Sequence, residues 1–419
     1  MNLELLVYLD WQGAVVRLGR LWTRTQGRGS ASFAYDPSWL ARRDKFAVDP
    51  ELPLGPGQFH SQRPLFNAFA DSAPDRWGHN LLRRHERQRA KAIGQTPRSL
   101  FAADMVLGVE DRTRHGALRF KTSESGEFLA QSTQPIPPLL ALGKLQAAAG
   151  RFLRDCDTDD DLALLLAPGT SLGGARPKAT VVDRDGSLWL AKFARSDDAW
   201  PVIAWEAVAL VLAEQAGIAV APSRLQVVAK QAVLLVRRFD RHATDPSLRV
   251  PFCSALTAVA ATDGEHHSYL DILDVVRRDG AEPAQDAAQL WRRMLFNVLI
   301  SNTDDHLRNH GLVRVAAGWR LAPAYDMNPM PVDVRPRVHA LALDAEDATA
   351  SLDTLLRVAP RFGLREVASR QIVGEVVRAV AQWRQVATGC GLSAAAVERM
   401  ESAFVHADFV GAQRVGAAK

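Results

Sequence analysis

Residues 301–311 read SNTDDHLRNHG, with two adjacent carboxylates, two histidines, two asparagines and an arginine in eleven positions. They follow an apolar run, MLFNVLI, whose continuity reads as a buried helix. Three uses are open to such a cluster. Asp304, Asp305, His306 and His310 carry the donor types of a hydrolytic metal centre. Asp304 alone can accept a proton from an incoming hydroxyl. Asn302, Thr303 or Asp304 can also do no more than cap a helix.

Two upstream stretches bear on the choice. In TSLGGARPK, Gly173 and Gly174 let backbone amides approach phosphate oxygens and Lys178 adds a cation, although a plain turn is the commoner use of such a pair. In LWLAKF, Lys192 sits inside an apolar strand, and a buried ammonium needs an anion. Glu206, in the following helical stretch, is the expected partner; a strand-edge lysine with its head in water is the plainer alternative. A strand lysine paired with a helix glutamate, behind a glycine loop, is how protein kinases hold the α- and β-phosphates.

Kinases also place a magnesium-holding asparagine five residues after the catalytic aspartate, then a strand pair ending in a second metal-binding aspartate. Asp304 and Asn309 have that spacing, and GLVRVAAGWRLAPAYD supplies the strand pair and ends in Asp326. Asn309 and Asp326 are hard oxygen donors, as magnesium prefers. Asp304 would act as base, and Arg308 or His306 would offset charge on the transferred phosphoryl group. The hydrolytic-metal alternative leaves the glycine loop and Lys192 without a role. Five parts in the right chain order favour the kinase arrangement. The neighbouring His266 and His267 are expected at the surface.

The elements that must position these residues follow from pattern. LELLVYLDWQGAVVRLGRLW alternates around a turn and predicts a hairpin, with another strand in SASFAYDPSWL. A helix is expected from SAPDRWGHNLLRRHERQRAKA, with Pro74 in its first turn. The Ser-, Thr- and Pro-rich residues 121–138 read as a linker, and the acidic run DTDDD as a solvated helix start. Strands at ATVVD, SLWLAKF and within SRLQVVAKQAVLLVRRFDR flank a helix at AWEAVALVLAEQAG, closed by glycine. The last third reads as alanine-rich amphipathic helix. Three consecutive blocks are expected: 1–138, 139–255 and 256–419.

Composition is that of a soluble globular protein, 47% hydrophobic and 23% charged. Three cysteines without a CxxC pair argue for a reducing compartment and against structural zinc. Glu4 and Asp10 interrupt any signal-peptide core, and Glu206 and Glu214 break the longest apolar stretch, so a cytoplasmic protein without a membrane span is expected. A net charge of +4 and a pI of about 9.1 are compatible with an anionic ligand or with nucleic acid and decide nothing alone.

The series SLGGARPK, LWLAKF, VRRFDR, NTDDHLRNHG and LAPAYDM resembles the HipA-type serine/threonine kinase toxins of bacterial toxin–antitoxin systems, and DSAPDRWGHNLL resembles their N-terminal region. The resemblance implies an α+β, protein-kinase-like fold with an N-terminal β-containing subdomain and a largely helical C-terminal lobe. It implies ATP and Mg2+ as cofactors, Asp304 as base with Arg308 beside it, and Asn309 and Asp326 as magnesium ligands. Nucleotide contacts are implied for Gly173, Gly174, Ala175, Arg176, Pro177, Lys178, Lys192, His306 and Tyr325, and for the hinge residues Arg237, Arg238 and Phe239 beside the adenine. Ser171 matches the serine that these kinases phosphorylate on themselves, which ejects the loop and stops the enzyme; a new dianion there would repel ATP. Arg237 replaces an acidic hinge residue, and Pro177 removes one amide donor from the loop. The implied partners are a small DNA-binding antitoxin resembling HipB, DNA only through that antitoxin, and a protein substrate of the aminoacyl-tRNA synthetase class. Two other readings are a catalytically weak co-repressor partner and a metal-dependent phosphodiesterase.

Overall fold

Long alternating strands open the chain. β1 (Asn2–Trp11) and β2 (Ala14–Arg24) form the expected hairpin, with a register shift between Val7 and Tyr8. β3 (Ala31–Tyr35), β4 (Phe59–Ser61) and β5 (Leu118–Lys121) complete an antiparallel sheet in the order β4-β3-β2-β1-β5. The computed structural model describes residues 2–24, 29–130, 134–166, 174–345 and 347–417. They divide into two compact units, one of residues 1–196 with 236–253, the other of residues 197–235 with 254–419. Both units are discontinuous in sequence, unlike the three consecutive blocks read from composition, because packing density follows tertiary contact and not chain order.

The first unit covers its sheet with aromatic side chains. Phe33, Phe69 and Phe120 are fully buried, with ring centroids 5.3 Å and 6.3 Å apart in sequence along the cluster. α1 (Arg76–Ala92) starts at Asp75, whose carboxylate accepts from Gly78 N at 3.0 Å. Pro74 therefore precedes the cap and is not in the first turn. Half of the expected linker is built into this unit: Leu129 N donates to Phe120 O and Phe128 packs edge-on against Tyr8. α2 (Leu142–Leu153) and α3 (Asp159–Leu166) lie where periodicity puts them. The acidic run between them is not merely solvated. Asp157 pairs with Arg84 at 2.8 Å with its side chain 1% exposed, and Asp161 accepts from Thr158 N at 3.0 Å. A hydrogen bond from Arg151, followed by that backbone bond, holds the Asp161 carboxyl well below the usual range. β6 (Lys178–Val182) and β7 (Leu188–Phe193) form an antiparallel hairpin.

In the second unit α4 (Val202–Gln215) is buried nearly all round, as its uninterrupted hydrophobicity demands. Gly217, at φ 74°, ends it in the left-handed region that glycine adopts without strain. β8 (Ser223–Val228) and β9 (Gln231–Arg237) follow. Ser268 starts α5 (Tyr269–Asp279) with a reciprocal capping box to Asp271, and α6 (Pro283–Leu299) carries proline at its first position. The run MLFNVLI ends α6 and is entirely buried. β11 (Gly311–Val315) and β12 (Gly318–Leu321) form the strand pair expected before Asp326, after a short strand β10 (Phe252–Ser254). Behind them α7 (Glu366–Val380) and the helix Trp383–Gly389 complete a helical lobe, where Trp383 stacks on Phe404 at 4.6 Å. No helix among the described residues is long and apolar enough to cross a membrane.

Candidate active site

The SNTDDHLRNHG segment is set by how α6 stops. Asn302 N donates to Asn297 O at 2.8 Å and Ser301 N to Val298 O at 3.3 Å, a Schellman closure with Ser301 at φ 55° in the position glycine usually takes. Ser301 is held there because its hydroxyl donates to Ala403 O at 2.8 Å and accepts from Arg337 Nε at 3.2 Å. The chain then turns back, so that Asp304 and Asp305, adjacent in sequence, point to opposite environments. Asp304 has a side chain 66% exposed, and Asp305 is 3% exposed.

Asp305 was grouped with the metal candidates by residue type, but its buried carboxylate is engaged within the protein through Oδ2. It accepts from the Tyr269 hydroxyl, from Asn297 Nδ2 at 3.0 Å and from His310 Nε2 at 2.9 Å. Burial alone would raise its pKa; the adjacent His310 and the hydrogen bonds from His310 and Tyr269 outweigh that and hold it below the ordinary value. Burial, then the Asp305 charge, push the Tyr269 hydroxyl well above its usual range. This buried set braces the loop from behind while the Asp304 side chain stays exposed.

Asn309 and Asp326 are brought together. Asn309 Nδ2 donates to Asp326 Oδ2 at 3.1 Å, and its Oδ1 accepts from His306 N at 3.0 Å, which closes the short 3-10 turn Leu307–Asn309. Asp326 occupies the left-handed region at φ 57°. Tyr325 donates from its hydroxyl to Arg308 O at 2.9 Å and so ties the strand pair back to the loop. The two oxygen donors fit magnesium, which keeps most of its shell as water and phosphate oxygen. Among the described residues no group of three or more His, Cys, Asp or Glu is placed to hold a metal, so the hydrolytic centre imagined for Asp304, Asp305, His306 and His310 does not form there. Arg308, expected to offset developing charge, is instead engaged at its Nε and Nη2 by Asp263. The guanidinium on Asp304 belongs to Arg335, at 2.8 Å. His306 is exposed on the same turn, and His266 lies at the surface as expected, whereas His267 is half-buried.

In the first unit, Ser171 and Gly173 lie outside the described residues. Gly174 is exposed, Ala175 and Arg176 are half-buried and Pro177 is buried. Lys178 stands directly opposite Lys192 in the β6–β7 ladder. Two ammonium groups at facing positions repel unless one is neutralised. Asp75 does this for Lys178, which is 2% exposed and also donates to Gly174 O at 2.8 Å. Lys178 is thus a structural ion pair closing the loop and not a free cation for phosphate. Trp77 Nε1 donates to Lys178 O at 3.0 Å, so the DRW of DSAPDRWGHNLL serves to anchor this strand. Sequence reasoning saw the motif and not its role; the only available signal was an aspartate and a tryptophan flanking a helix start. Lys192, 6% exposed, lies on the first unit, and Glu206, 2% exposed, on the second.

The hinge stretch is also more structural than expected. Arg238 is buried, its Nε donating to Asp240 at 2.8 Å and its Nη2 to Arg114 O at 3.1 Å, so only its backbone remains for a ligand. Asp240 also binds Arg241 at 2.8 Å and accepts from Gly116 N at 2.8 Å. Burial works against its charge, but Arg238 and Arg241 hold its pKa well below the usual range. Arg237 Nη2 donates to Ala243 O at 2.7 Å, and Phe239 contacts the His115 ring at 6.0 Å between centroids.

Comparison with known proteins decides the family. Residues 170–384 match the model of the HipA-like C-terminal domain, more than half of the chain, and residues 9–103 match that of the HipA N-terminal domain. The chain belongs to the HipA family. This HipA-family protein is 28% identical over 340 residues to Y4mE of Sinorhizobium fredii, a protein named as a candidate kinase, covering 76% of this chain and 75% of the relative. Its fold resembles that of HipA from Shewanella oneidensis, solved with HipB and operator DNA, at a TM-score of 0.67 and 15% identity over 98% of this chain and 96% of the other.

Proposed function

We propose that this HipA-family protein is a serine/threonine-protein kinase that uses ATP and magnesium. The observation that carries the reading is the Asn309–Asp326 contact beside an exposed Asp304, on a loop braced from behind by the buried Asp305 set. Asp304 accepts the proton of the attacking hydroxyl; its exposure leaves it reachable by a residue on another protein chain. Asn309 Oδ1 and Asp326 hold the metal, which when bound supplies charge neutralisation for the phosphates. For the nucleotide, the groups proposed on the first unit are Lys192, the backbone amides of Gly174, Ala175 and Arg176, and the backbone of Arg237, Arg238 and Phe239. Self-phosphorylation of Ser171 turns the enzyme off. A HipB-like antitoxin restrains the protein and connects it to DNA, in keeping with the assembly in which the Shewanella protein was solved. The substrate is a protein, and an aminoacyl-tRNA synthetase is the class proposed.

The test is intact mass after incubation of the purified, phosphatase-treated chain with ATP and magnesium, beside D304N. Expected are phosphate added to the wild type, mapped to Ser171, and none added to the variant. Absence of both phosphate transfer and ATP binding in the wild type would replace this reading with that of a co-repressor partner without catalysis.

A further inference from the structure

The cation at the candidate catalytic aspartate is Arg335, nine residues beyond Asp326, and the architecture of its loop presents it there. Both ends of the segment are pinned to the catalytic stretch: Met330 N donates to Ser301 O at 3.2 Å, Ala340 N to Thr303 O at 3.1 Å and Leu341 N to Asp305 O at 3.0 Å. Its middle is tethered from outside. Asp333 binds Arg399 through two contacts of 2.8 and 2.9 Å, and Val332 N donates to Ser402 Oγ at 3.1 Å. A tight turn, with Val334 N and Arg335 N both donating to Pro331 O, then aims the Arg335 guanidinium at Asp304 Oδ1.

The other cations of the region are engaged elsewhere. Arg308 is held by Asp263, and Arg337 by Asp408, Ser301 Oγ and Val298 O. The Arg335–Asp304 pair is as open to water as the Arg308–Asp263 pair, but it rests on one contact where Arg308 meets Asp263 through both Nε and Nη2. Its side chains are 38% and 66% exposed, and ion pairs this open to water are weak and exchange readily. A structural bridge would be buried or embedded in a network, as at Asp240.

Resting on the kinase reading, we infer that Arg335 is a catalytic residue that moves from Asp304 onto the transferred phosphoryl group. In the transfer, the acceptor hydroxyl oxygen bonds to the γ-phosphorus while the bond from that phosphorus to the β,γ-bridging oxygen breaks. The hydroxyl proton passes to Asp304, and the bond's electron pair leaves with the diphosphate. Protonation removes the charge that held Arg335 at the moment when charge is spread over the three equatorial phosphoryl oxygens. A planar guanidinium with several donors suits those oxygens, and it serves the transition state more than bound ATP. The role that chain order alone assigned to Arg308 is thereby reassigned to a residue on a separate, pinned loop.

The experiment compares phosphatase-treated wild type, R335A, R335K and R308A in self-phosphorylation across ATP concentrations. Binding of magnesium-ADP, with and without tetrafluoroaluminate as a mimic of the phosphoryl group in transfer, is measured alongside. Removing one transition-state donor typically costs about 100-fold, so R335A should fall by about that factor at saturating ATP with half-saturation moved less than about threefold. R335K should recover part of the rate, and R308A should stay within about threefold of wild type. R335A should also lose the extra affinity conferred by tetrafluoroaluminate and keep its affinity for magnesium-ADP. A wild-type rate in R335A, a faster rate, or a loss of ADP affinity equal to the loss of rate would overturn the assignment while leaving the kinase reading intact. No phosphate transfer by the wild type would overturn both.

Discussion

His339 lies in the second unit, 3% exposed, with neither ring nitrogen hydrogen-bonded to a described residue. Burial dominates its titration and lowers its pKa to about 4, against the attraction of Asp305 and with repulsion from Arg337 and Arg335. An unfolded chain binds the proton near pH 6.5 and the native one only near pH 4, so between those values the unfolded state holds more protons. Stability therefore falls as pH drops through that window. At pH 7 almost none of the penalty is felt, and at pH 5 this one histidine costs about 2 kcal/mol of stability. The perturbation is His339→Gln, which keeps a polar group of similar size and removes the titration. Urea unfolding followed by tryptophan fluorescence at pH 7 and pH 5 gives the difference directly. Whatever the absolute stability of H339Q, its loss between the two pH values should be about 2 kcal/mol smaller than that of the wild type. Equal losses in the two proteins would refute the reasoning and mean that native His339 takes up a proton near its ordinary pKa.

Other substitutions probe the buried charges and the site. Asp240→Ala leaves Arg238 and Arg241 buried without their carboxylate, and should cost about 3–5 kcal/mol, read as a thermal midpoint lowered by about 10 °C. Tyr269→Phe removes one of the three donors to Asp305 and should destabilise by about 2 kcal/mol in the same assay; a variant as stable as wild type would show the bond to be dispensable. Asp326→Asn keeps a side chain that tolerates a left-handed backbone, so its midpoint should stay near wild type while phosphate incorporation is lost. A D326N protein that still transfers phosphate at the wild-type rate would remove Asp326 from the metal site.

Local periodicity and turn chemistry were legible along the chain. The β1–β2 hairpin, the α4 helix with its closing glycine, the buried end of α6 and the strand pair before Asp326 all follow from patterns within about fifteen residues, because strand and helix faces repeat at two and 3.6 residues. The order of the candidate site residues was also legible, since Asp304, Asn309 and Asp326 lie within one short stretch. Partnership over long separations was not. That Asp75 neutralises Lys178, that Arg238 is spent on the Thr113–Arg114 backbone, and that Asp157 is fixed by Arg84 depends on elements that meet only after folding. The sharpest case is the neighbouring pair Asp304 and Asp305. Sequence alone established two carboxylates between a buried helix and a strand pair, and so a place where proton or metal chemistry was possible. Tertiary structure alone decided that Tyr269, Asn297 and His310 enclose one of them and Arg335 meets the other. A carboxylate's role depends on which donors surround it and how much water remains, and both are set by residues brought in from elsewhere in the chain.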